Sequence, residues 1–263
     1  MVRIGISGVC GRMGRRIAAL ACENPAVRIA AAFEREDAPE IGRDLGEIIG
    51  GDAAGVKIGA DLEKGAKDVD CLIEFTLPGP TLGHLAVCRK RGVPIVIGTT
   101  GFSAEEEKTI AEAAKEIPVV FSPNMAVGVN LLFDLVRQAA RVLGADFDIR
   151  IDETHHVHKK DSPSGTAKMI AKVIAASAGK DVPIEARREG EVIGNHGIVF
   201  DGKYETLEIR HDAKSRDVFA AGAVKAAIFL ADKGPGLYSM TDVLGLGKRE
   251  HTARRVFPLK KRG

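Results

Sequence analysis

Residues 2–14 read VRIGISGVCGRMG, and this stretch decides the fold that the sequence predicts. Apolar side chains alternate at Val2, Ile4 and Ile6, a pattern that is typical of a short strand. Glycines follow at positions 8, 11 and 14, and apolar residues then recur at helical spacing up to Cys22. The stretch therefore predicts a strand, a glycine turn and a helix, in that order.

The spacing of the three glycines, G-x-x-G-x-x-G, is a variant of the dinucleotide-binding fingerprint. In that fingerprint the first glycine permits the turn, the second lets the backbone approach a pyrophosphate, and the third lets the helix pack on the strand. The positive end of the helix would then bind phosphate. Because the pattern alone is weakly specific, its interpretation depends on the residues that follow.

Residues 27–33 predict a second strand that ends at Glu34, which lies 20 residues after Gly14. An acidic residue at that distance is expected to bind an adenosine ribose hydroxyl. Arg35 comes next and is placed to face the 2′-phosphate of NADP. The pair predicts that both NADH and NADPH are accepted, although a glutamate and an arginine at a strand end also occur in proteins without such a ligand.

Strands and helices alternate through about residue 125. Further short strands are predicted near residues 69–73, 94–97 and 118–121, with helices between them at 81–91 and 103–115. This alternation is typical of an α/β protein with a Rossmann-type, doubly wound parallel sheet. The ligand of such a sheet lies at the carboxyl ends of its strands.

The second half of the chain predicts an α+β unit with a mixed sheet. An apolar helix over 130–143 leads into it, and strands at 197–200 and 205–211 are joined as a hairpin. An alanine-rich helix follows at 217–230. The segment between about 179 and 197 is polar and predicts irregular structure.

These patterns divide the chain into two predicted domains. Residues 1–125 and about 236–263 are expected to form the dinucleotide-binding domain. Residues 126–235 are expected to bind substrate and to support oligomerisation. The basic cluster at 248–263 lacks stacking aromatic residues, so we predict a solvated or docked tail and not an arm that binds nucleic acid.

Residues 153–167, ETHHVHKKDSPSGTA, hold more reactive side chains than any other short stretch. The apolar residues before this stretch predict a strand that continues to about Asp161. Pro163 ends the strand because proline cannot donate to a β-ladder, and Ser164 is a natural N-cap for a following helix. The stretch therefore predicts a reactive loop between a strand and the positive end of a helix.

The loop predicts an active site. Imidazoles, an ammonium group from Lys159 or Lys160 and a helix N-terminus suit a small anionic substrate, and a histidine near its ordinary pKa gives or takes a proton near neutrality. A surface loop with incidental histidines is one alternative. A metal site formed by His156 and His158 is another, but no cysteine or carboxylate at ligand spacing completes the set, so no metal is predicted.

Composition excludes several other classes of function. The formal net charge is +2, which does not indicate a nucleic-acid or membrane-surface partner. Four cysteines lie in the first third of the chain without a C-x-x-C pair, and they predict buried free thiols in a reducing compartment. No segment is long and apolar enough to span a membrane and no charged leader precedes an apolar run, so a cytoplasmic location is predicted.

Motifs spread over most of the chain occur together in one known family. They are Gly8-x-x-Gly11-Arg12-Met13-Gly14, Glu34-Arg35, Glu74-Phe75-Thr76, Gly98-Thr99-Thr100-Gly101-Phe102, Asn124 with Gly128-Val129-Asn130, the run from His155-His156 through Lys159 to Asp161-x-Pro163-Ser164-Gly165-Thr166-Ala167, and Ser215-Arg216 with Phe219-Ala220-x-Gly222-Ala223. In these motifs the chain resembles the 4-hydroxy-tetrahydrodipicolinate reductase (dihydrodipicolinate reductase) family of diaminopimelate and lysine biosynthesis. The glycine turns are individually unspecific, whereas the double-histidine run is close to diagnostic.

The resemblance implies an NAD(P)H-dependent oxidoreductase that reduces 4-hydroxy-tetrahydrodipicolinate, a cyclic imine dicarboxylate, to tetrahydrodipicolinate with loss of water. It implies that His155 donates or accepts a proton and that Lys159 is a second proton donor. Substrate carboxylate would be held by His156, Gly165 and Thr166. The family is typically a homotetramer through its second domain. The cofactor, NADPH or NADH, would contact Gly8, Val9, Cys10, Gly11, Arg12, Met13, Glu34, Arg35, Gly98, Thr99, Thr100, Ser122, Pro123, Asn124 and Met125.

The sequence departs from the family pattern at a few places. Glu74 stands where the family usually has Asp, the segment 179–197 is shorter, and the chain after Leu246 is longer. An amino-acid dehydrogenase similar to aspartate dehydrogenase would share the glycine turn but act on a linear amino acid. A non-catalytic dinucleotide sensor is a third interpretation, which the intact His155 and Lys159 disfavour.

Overall fold

The structure, a computed structural model, describes residues 1–246. The predicted basic tail and the end of the predicted dinucleotide-binding domain lie outside the described residues. The described chain folds into two sheets flanked by helices. None of the helices in this part of the chain combines the length and the apolar character that a membrane crossing requires.

Through residue 121 the strands and helices alternate as the sequence pattern predicts. The strands are β1 (Val2–Ser7), β2 (Val27–Phe33), β3 (Ile58–Gly59), β4 (Cys71–Glu74), β5 (Ile95–Ile97), β6 (Pro118–Phe121), β7 (Asp148–His155), β8 (Ile184–Arg188), β9 (Asn195–Asp201), β10 (Thr206–Asp212) and β11 (Gly236–Tyr238). The α-helices are α1 (Arg12–Glu23), α2 (Leu45–Ile49), α3 (Leu62–Gly65), α4 (Pro78–Arg91), α5 (Ala104–Ala113), α6 (Val127–Leu143), α7 (Gly165–Ala178), α8 (Asp217–Leu230) and α9 (Met240–Val243).

The first sheet has seven strands in the order β11-β6-β5-β4-β1-β2-β3, and all its neighbouring strands are parallel. Its central strands β4 and β5 are buried along their whole length and β1 is buried from Ile4 onward, as expected for a parallel sheet covered on both faces. The prediction of a doubly wound parallel sheet is confirmed. The carboxyl ends of these strands form one edge, at which a ligand is expected.

Helix α8 packs on this first sheet. Its residues Ala220, Ala223 and Val224 share a core cluster with Ile4 and Ile6 of β1, and α8 contacts α1, β4 and β5. Grouping the helix with the second sheet is therefore wrong, and its apolar character reflects burial between α1 and the first sheet. The other predicted domain bounds stay a prediction.

The second sheet has four strands in the order β10-β9-β7-β8. The β10–β9 and β9–β7 pairs are antiparallel and the β7–β8 pair is parallel, which confirms a mixed sheet. Helices α6 and α7 cover one face, where Leu132, Val136, Ile170 and Ile174 pack with Phe200 and neighbouring strand residues. The sheet therefore has its own apolar core on one side.

Strand β8 lies in the segment predicted to be irregular, so that prediction is wrong for residues 184–188. The exposed Glu185 and Arg187 alternate with the less exposed Ile184 and Ala186. This alternation is a strand pattern, but the high charge of the segment conceals it.

The reactive loop begins earlier than predicted. Strand β7 ends at His155, so the prediction that the strand continues to about Asp161 is wrong, and residues 156–163 form turns and irregular structure. The predicted N-cap is confirmed, because the Oγ of Ser164 accepts a hydrogen bond from the N–H of Ala167 at 3.1 Å.

All four cysteines lie in the described part of the chain and are free. Cys71 and Cys88 are buried as predicted, whereas Cys10 is half-buried and Cys22 is exposed. The prediction of buried thiols is therefore wrong for Cys22, which lies near the end of an amphipathic helix. Burial raises the pKa of the Cys71 and Cys88 thiols, so both stay protonated at neutral pH.

Candidate active site

The glycine turn brings the start of α1 against the end of β1. Gly8 has a φ of +72°, which an L-residue with a side chain adopts at a cost. A Cβ on Gly14 would lie 2.1 Å from the carbonyl oxygen of Gly8, so only glycine permits this helix to approach the turn. The residue before α1 is Gly11, which has no capping side chain, and the first turn holds no acidic residue. The N–H groups of the first turn are thus available to an anion.

Glu34 lies beside this turn. Its Oε2 accepts a hydrogen bond from the N–H of Cys10 at 3.0 Å, and its Oε1 accepts one from the N–H of Arg35 at 3.1 Å. The Arg35 side chain is 73% exposed, with its Nε 3.2 Å from Asp37. The carboxylate is therefore fixed next to the glycine turn, and the guanidinium is placed at the surface beyond it.

A first cavity of about 670 Å³ opens along the carboxyl ends of β1, β2 and β4. The predicted cofactor residues that line it are Gly8, Cys10, Gly11, Glu34 and Arg35. Other lining residues, which the sequence analysis did not single out as ligands, are Phe75, Thr76, Pro80 and His84. The cavity therefore joins the fingerprint to the acid that was predicted to bind ribose.

A second cavity of about 580 Å³ lies between the two sheets. From the first sheet it is lined by Met13, Phe75, Gly98, Thr100, Ser122, Pro123, Asn124 and Met125. From the second it is lined by His155, His156, Lys159, Asp161, Ser164, Gly165 and Thr166. Phe75 lines both cavities, so the two cavities adjoin at this side chain, and we call them together the cleft.

A few of the predicted cofactor residues line neither cavity. Val9 is fully buried in the core, and its N–H donates to the carbonyl of Phe33 at 3.1 Å. Thr99 is buried, and its Oγ accepts a hydrogen bond from the N–H of Thr76 at 3.1 Å. Arg12 begins α1 with an exposed side chain. Thr99 therefore supports the backbone of Thr76 at the edge of the sheet and does not line a cavity. Arg12 has an exposed guanidinium at the N-terminus of α1.

His155 is held by a buried carboxylate. Its Nδ1 forms a hydrogen bond with Oε2 of Glu153, whose side chain has no exposed surface. The other oxygen of Glu153 accepts from the N–H of Ser164 and from Nη1 of Arg188, each at 3.1 Å. The His196 ring packs edge-on against His155 with centroids 5.2 Å apart. The imidazole orientation is therefore fixed from several sides.

Burial and charge act in opposite directions on this pair. Burial lowers the pKa of His155 below its ordinary value, and this effect exceeds the opposing effect of Glu153. Burial tends to raise the pKa of Glu153, but the donors Ser164, His155 and Arg188 outweigh it, so the net pKa of Glu153 is lowered. Glu153 is thus an ionised hydrogen-bond acceptor at neutral pH, and His155 releases a proton readily.

Lys159 lies at the mouth of the same cavity with its side chain 23% exposed, and its Nζ is 2.8 Å from Oδ1 of Asp161. The ammonium group lowers the pKa of Asp161, as does the N–H of Gly165 at the start of α7. The Nδ1 of His156 is buried without a hydrogen-bond partner in the described part of the chain. An ammonium, an imidazole and a helix N-terminus therefore converge on one small space that favours a carboxylate.

Glu153, His155 and His196 each offer a ligand atom, and these atoms lie within 4.8 Å of one another. The carboxylate oxygens of Glu153 are already occupied by His155, Ser164 and Arg188. The Arg188 guanidinium also places a positive charge beside the Glu153 carboxylate, and this charge would repel a metal cation. We therefore interpret these side chains as a network that holds a proton.

Sequence reasoning missed several residues of the cleft. Arg188 lies in β8, which was not predicted, and Glu153 could have been assigned because it shares a strand face with His155. Arg216 and Phe219 line the second cavity from the start of α8.

A buried network around Glu74 was also missed. Nδ1 of His84 lies 2.7 Å from Oε2 of Glu74, which is fully buried, and Thr76 and Thr81 donate to its other oxygen. Because His84 lines the first cavity, this network supports the wall of that cavity.

Two family models match most of the described chain. The model described as "Dihydrodipicolinate reductase, N-terminus" matches residues 2–125, and the one described as "Dihydrodipicolinate reductase, C-terminus" matches residues 128–244. The boundary between the two matches lies at the start of α6, between the two sheets.

Relatives named 4-hydroxy-tetrahydrodipicolinate reductase match along nearly their whole length. The chain is 45% identical to the protein from Methylococcus capsulatus and 46% identical to that from Nitrosomonas eutropha, in each case over 266 residues that cover 94% of this chain and 99% of the relative. A solved structure, the dipicolinate-bound dihydrodipicolinate reductase from Paenisporosarcina sp. TG-14, has a TM-score of 0.78 at 26% identity, over 92% of this chain and 98% of that chain.

Proposed function

The chain belongs to the dihydrodipicolinate reductase family, and we propose that it performs the family's reduction in the cleft between its two sheets, with His155 and Lys159 as the proton-donating groups. The family resemblance predicted from the sequence motifs is confirmed. The chain is an NAD(P)H-dependent oxidoreductase of lysine and diaminopimelate biosynthesis, which reduces 4-hydroxy-tetrahydrodipicolinate.

The first sheet fits a nicotinamide dinucleotide, which supplies a hydride when bound. The close approach of Gly14 to Gly8 and the uncapped start of α1 make a cradle for a pyrophosphate. Glu34 is fixed where it accepts hydrogen bonds from ribose hydroxyls. Small residues at Gly98 and Thr100 line the second cavity and leave room for a ring next to the backbone.

The start of α7 fits the substrate carboxylates. Gly165 and Thr166 present backbone N–H groups at the positive end of this helix, and the Lys159 ammonium and His156 imidazole lie at the same cavity. The related reductase from Paenisporosarcina sp. TG-14 was solved with dipicolinate, an aromatic dicarboxylate of similar shape. Holding both carboxylates would fix the ring in a reactive orientation.

The overall reaction consumes one hydride and one proton. After loss of the hydroxyl as water, the substrate ring is a conjugated imine, and a hydride that arrives at C4 leaves an electron pair on the enamine system. A ring carbon next to C4 then takes a proton, which His155 gives up from Nε2 as that N–H bond breaks. Lys159 stabilises the developing negative charge and is a second proton source. The balance is substrate, NAD(P)H and one proton going to tetrahydrodipicolinate, NAD(P)⁺ and water.

The observation that carries this proposal is that the cavity lined by Gly8, Gly11 and Glu34 adjoins, at Phe75, the cavity lined by His155, His156 and Lys159. The test is a coupled assay with the aldol product of pyruvate and aspartate semialdehyde, in which NADPH and NADH oxidation are followed separately. We expect one reduced cofactor to be oxidised for each substrate consumed. Cofactor turnover only with a linear substrate, either NAD(P)⁺ reduction by an amino acid or NAD(P)H oxidation by an oxo acid with ammonia, would contradict the proposal.

Use of both cofactors is part of the proposal. Glu34 is placed to bind the ribose hydroxyl of NADH, and the exposed Arg35 beside it can pair with the 2′-phosphate of NADPH. The two side chains favour different cofactors, so neither is expected to be excluded. The coupled assay measures this as a ratio of kcat/KM values.

A cytoplasmic homotetramer is the remaining part of the proposal. The face of the second sheet opposite α6 and α7 is not covered by a helix of the described residues, and it exposes Arg150, Glu185 and Arg187. Free cysteines fit a reducing compartment. Sedimentation equilibrium measures the oligomeric state, and a monomer at micromolar concentration would contradict the tetramer.

A further inference from the structure

The buried carboxylate of Glu153 is held in place by groups other than His155. Its Oε1 accepts hydrogen bonds from the N–H of Ser164 and from Arg188, and its Oε2 faces Nδ1 of His155. Its side chain has no exposed surface, and that of Arg188 is 19% exposed. A buried carboxylate with this many donors is ionised and acts as an acceptor only.

This geometry defines the tautomer of His155. Because Glu153 can only accept, Nδ1 of His155 must carry a hydrogen. The other ring nitrogen, Nε2, makes no hydrogen bond in the described part of the chain, and the residue lines the second cavity. Nε2 is therefore the ring nitrogen that is free to exchange a proton with a substrate.

We propose that Glu153 is a positioning residue that orients His155 and stabilises its protonated form, with Arg188 and the N–H of Ser164 holding the carboxylate in place. This inference depends on the proposed role of His155 as a proton donor. When Nε2 gives its proton to the ring carbon, His155 becomes neutral with the hydrogen still on Nδ1. Solvent then returns a proton to Nε2 between turnovers, so the proton balance closes.

Several charged groups face His155, and Glu153 is the anion among them that touches it. Two cations lie nearby, Lys159 in the loop after β7 and Arg188 in β8, and both lower the pKa of His155. From β9 the buried His196 ring packs against it, with His211 of β10 behind that ring. Among these cations and neutral rings, the carboxylate of Glu153 is the contact that stabilises the protonated form of His155.

The substitution Glu153→Gln tests the role of the charge. The amide keeps the shape and an acceptor oxygen but removes the negative charge. Since the reaction needs protonated His155, kcat falls as the pH rises through the pKa of that group. Loss of the carboxylate lowers this pKa, so we expect the descending limb of the kcat–pH profile to move down by about 1 to 3 pH units.

A matched control is Glu185→Gln, which removes a glutamate from the neighbouring strand. Glu185 pairs with Arg187 at the surface and is not in contact with His155. We expect the pH profile of Glu185→Gln to be that of the wild type. In both variants the Kd for NADPH, which binds at the other sheet, is expected to remain within about threefold.

A second variant, Glu153→Asp, keeps the charge and shortens the side chain. Its descending limb is expected to lie nearer the wild-type position than that of Glu153→Gln, with a lower kcat because the imidazole is less well oriented. A purely structural role predicts lower stability in both variants with no shift of the limb. If Glu153→Gln does not fold, Glu153→Asp still decides, because a wild-type kcat in that variant overturns the positioning role.

A direct titration gives a readout that does not depend on turnover. The chain has seven histidines, so the ¹³Cε1 signal of His155 can be assigned by its loss in His155→Gln. Its pKa is expected to fall in Glu153→Gln. An unchanged pKa and an unchanged limb would overturn the inference, whereas full turnover of His155→Gln would overturn the proposed role of His155 itself.

Discussion

Asn124 and Thr166 join the two halves of the cleft, since Nδ2 of Asn124 donates a hydrogen bond to Oγ1 of Thr166 at 3.2 Å. Asn124 lies in the loop after β6, at the cofactor edge of the first sheet, and Thr166 lies in the first turn of α7. Asn124 also accepts from the N–H of Ala126 at 2.9 Å, which fixes the start of α6. This contact therefore links α7, the proposed substrate-binding helix, to the edge of the first sheet that is proposed to bind the cofactor.

Thr166→Val should weaken this link without changing the shape of the side chain. The loss of one hydrogen bond costs about 0.5 to 1.5 kcal/mol, so we expect kcat/KM to fall by about 2- to 13-fold. Thr206→Val is a control, because Thr206 makes its hydrogen bond to Asp201 at the surface of the second sheet. Equal kcat/KM values for the two variants would contradict the role of the Asn124–Thr166 contact.

Gly14→Ala should disrupt the glycine turn. Its Cβ would lie 2.1 Å from the carbonyl oxygen of Gly8 and 2.6 Å from Cα of Val9, both of them backbone atoms that cannot move away easily. We expect the Kd for NADPH to rise by more than about tenfold and the Tm to fall. Gly83→Ala in α4 is the matched control, since its Cβ meets nothing within 4 Å, and it should keep or raise the Tm.

Arg35→Ser should separate the two cofactors. The exposed guanidinium is proposed to pair with a 2′-phosphate that only NADPH carries. We expect the KM for NADPH to rise by about tenfold and the KM for NADH to change by less than about threefold. Steady-state kinetics with each cofactor measures this, and an equal change in both KM values would exclude a specific role for Arg35.

Acid should destabilise the fold through His196. Burial lowers the pKa of His196 to about 4, from an ordinary value of 6.5. Between these two values the unfolded chain binds a proton that the folded chain does not, so the free energy of unfolding decreases as the pH falls through this window. The difference amounts to about 3 kcal/mol.

His196→Gln should therefore flatten the pH dependence of stability between about pH 6.5 and 4. Some slope should remain, because burial also lowers the pKa of His155 and His211. Urea unfolding of both proteins across this range measures the effect. An identical slope in the variant would show that His196 does not contribute.

The sequence predicted the first sheet well for physical reasons that can be named. The glycines at 8, 11 and 14 lie between an apolar strand and an apolar helix, in the order that the fingerprint requires, and strands buried on both faces appear as short apolar runs. The N-cap at Ser164 was predictable because it precedes an apolar helix. These signals are local, so they are visible without knowledge of the tertiary structure.

The missed features depend on contacts that are distant in sequence. Strand β8 is hidden by its exposed charged residues, and Arg188 could not be assigned to the site before that strand was placed beside β7. The sequence pattern groups helix α8 with the wrong sheet because an apolar helix does not indicate which sheet covers it. Strand β7 ends at His155 because turns follow it. The alternation of His156, Val157 and His158 continues a strand pattern, so it does not reveal this end.

The most direct test of the central claim is the turnover of His155→Ala and Lys159→Ala, measured together with NADPH binding in both variants. Both side chains line the cavity between the sheets, whereas the fingerprint glycines Gly8 and Gly11 line the other cavity. We predict that kcat falls by about 100-fold or more in each variant while the Kd for NADPH stays near the wild-type value. Full kcat in both variants would contradict a reduction carried out between the two sheets by these groups.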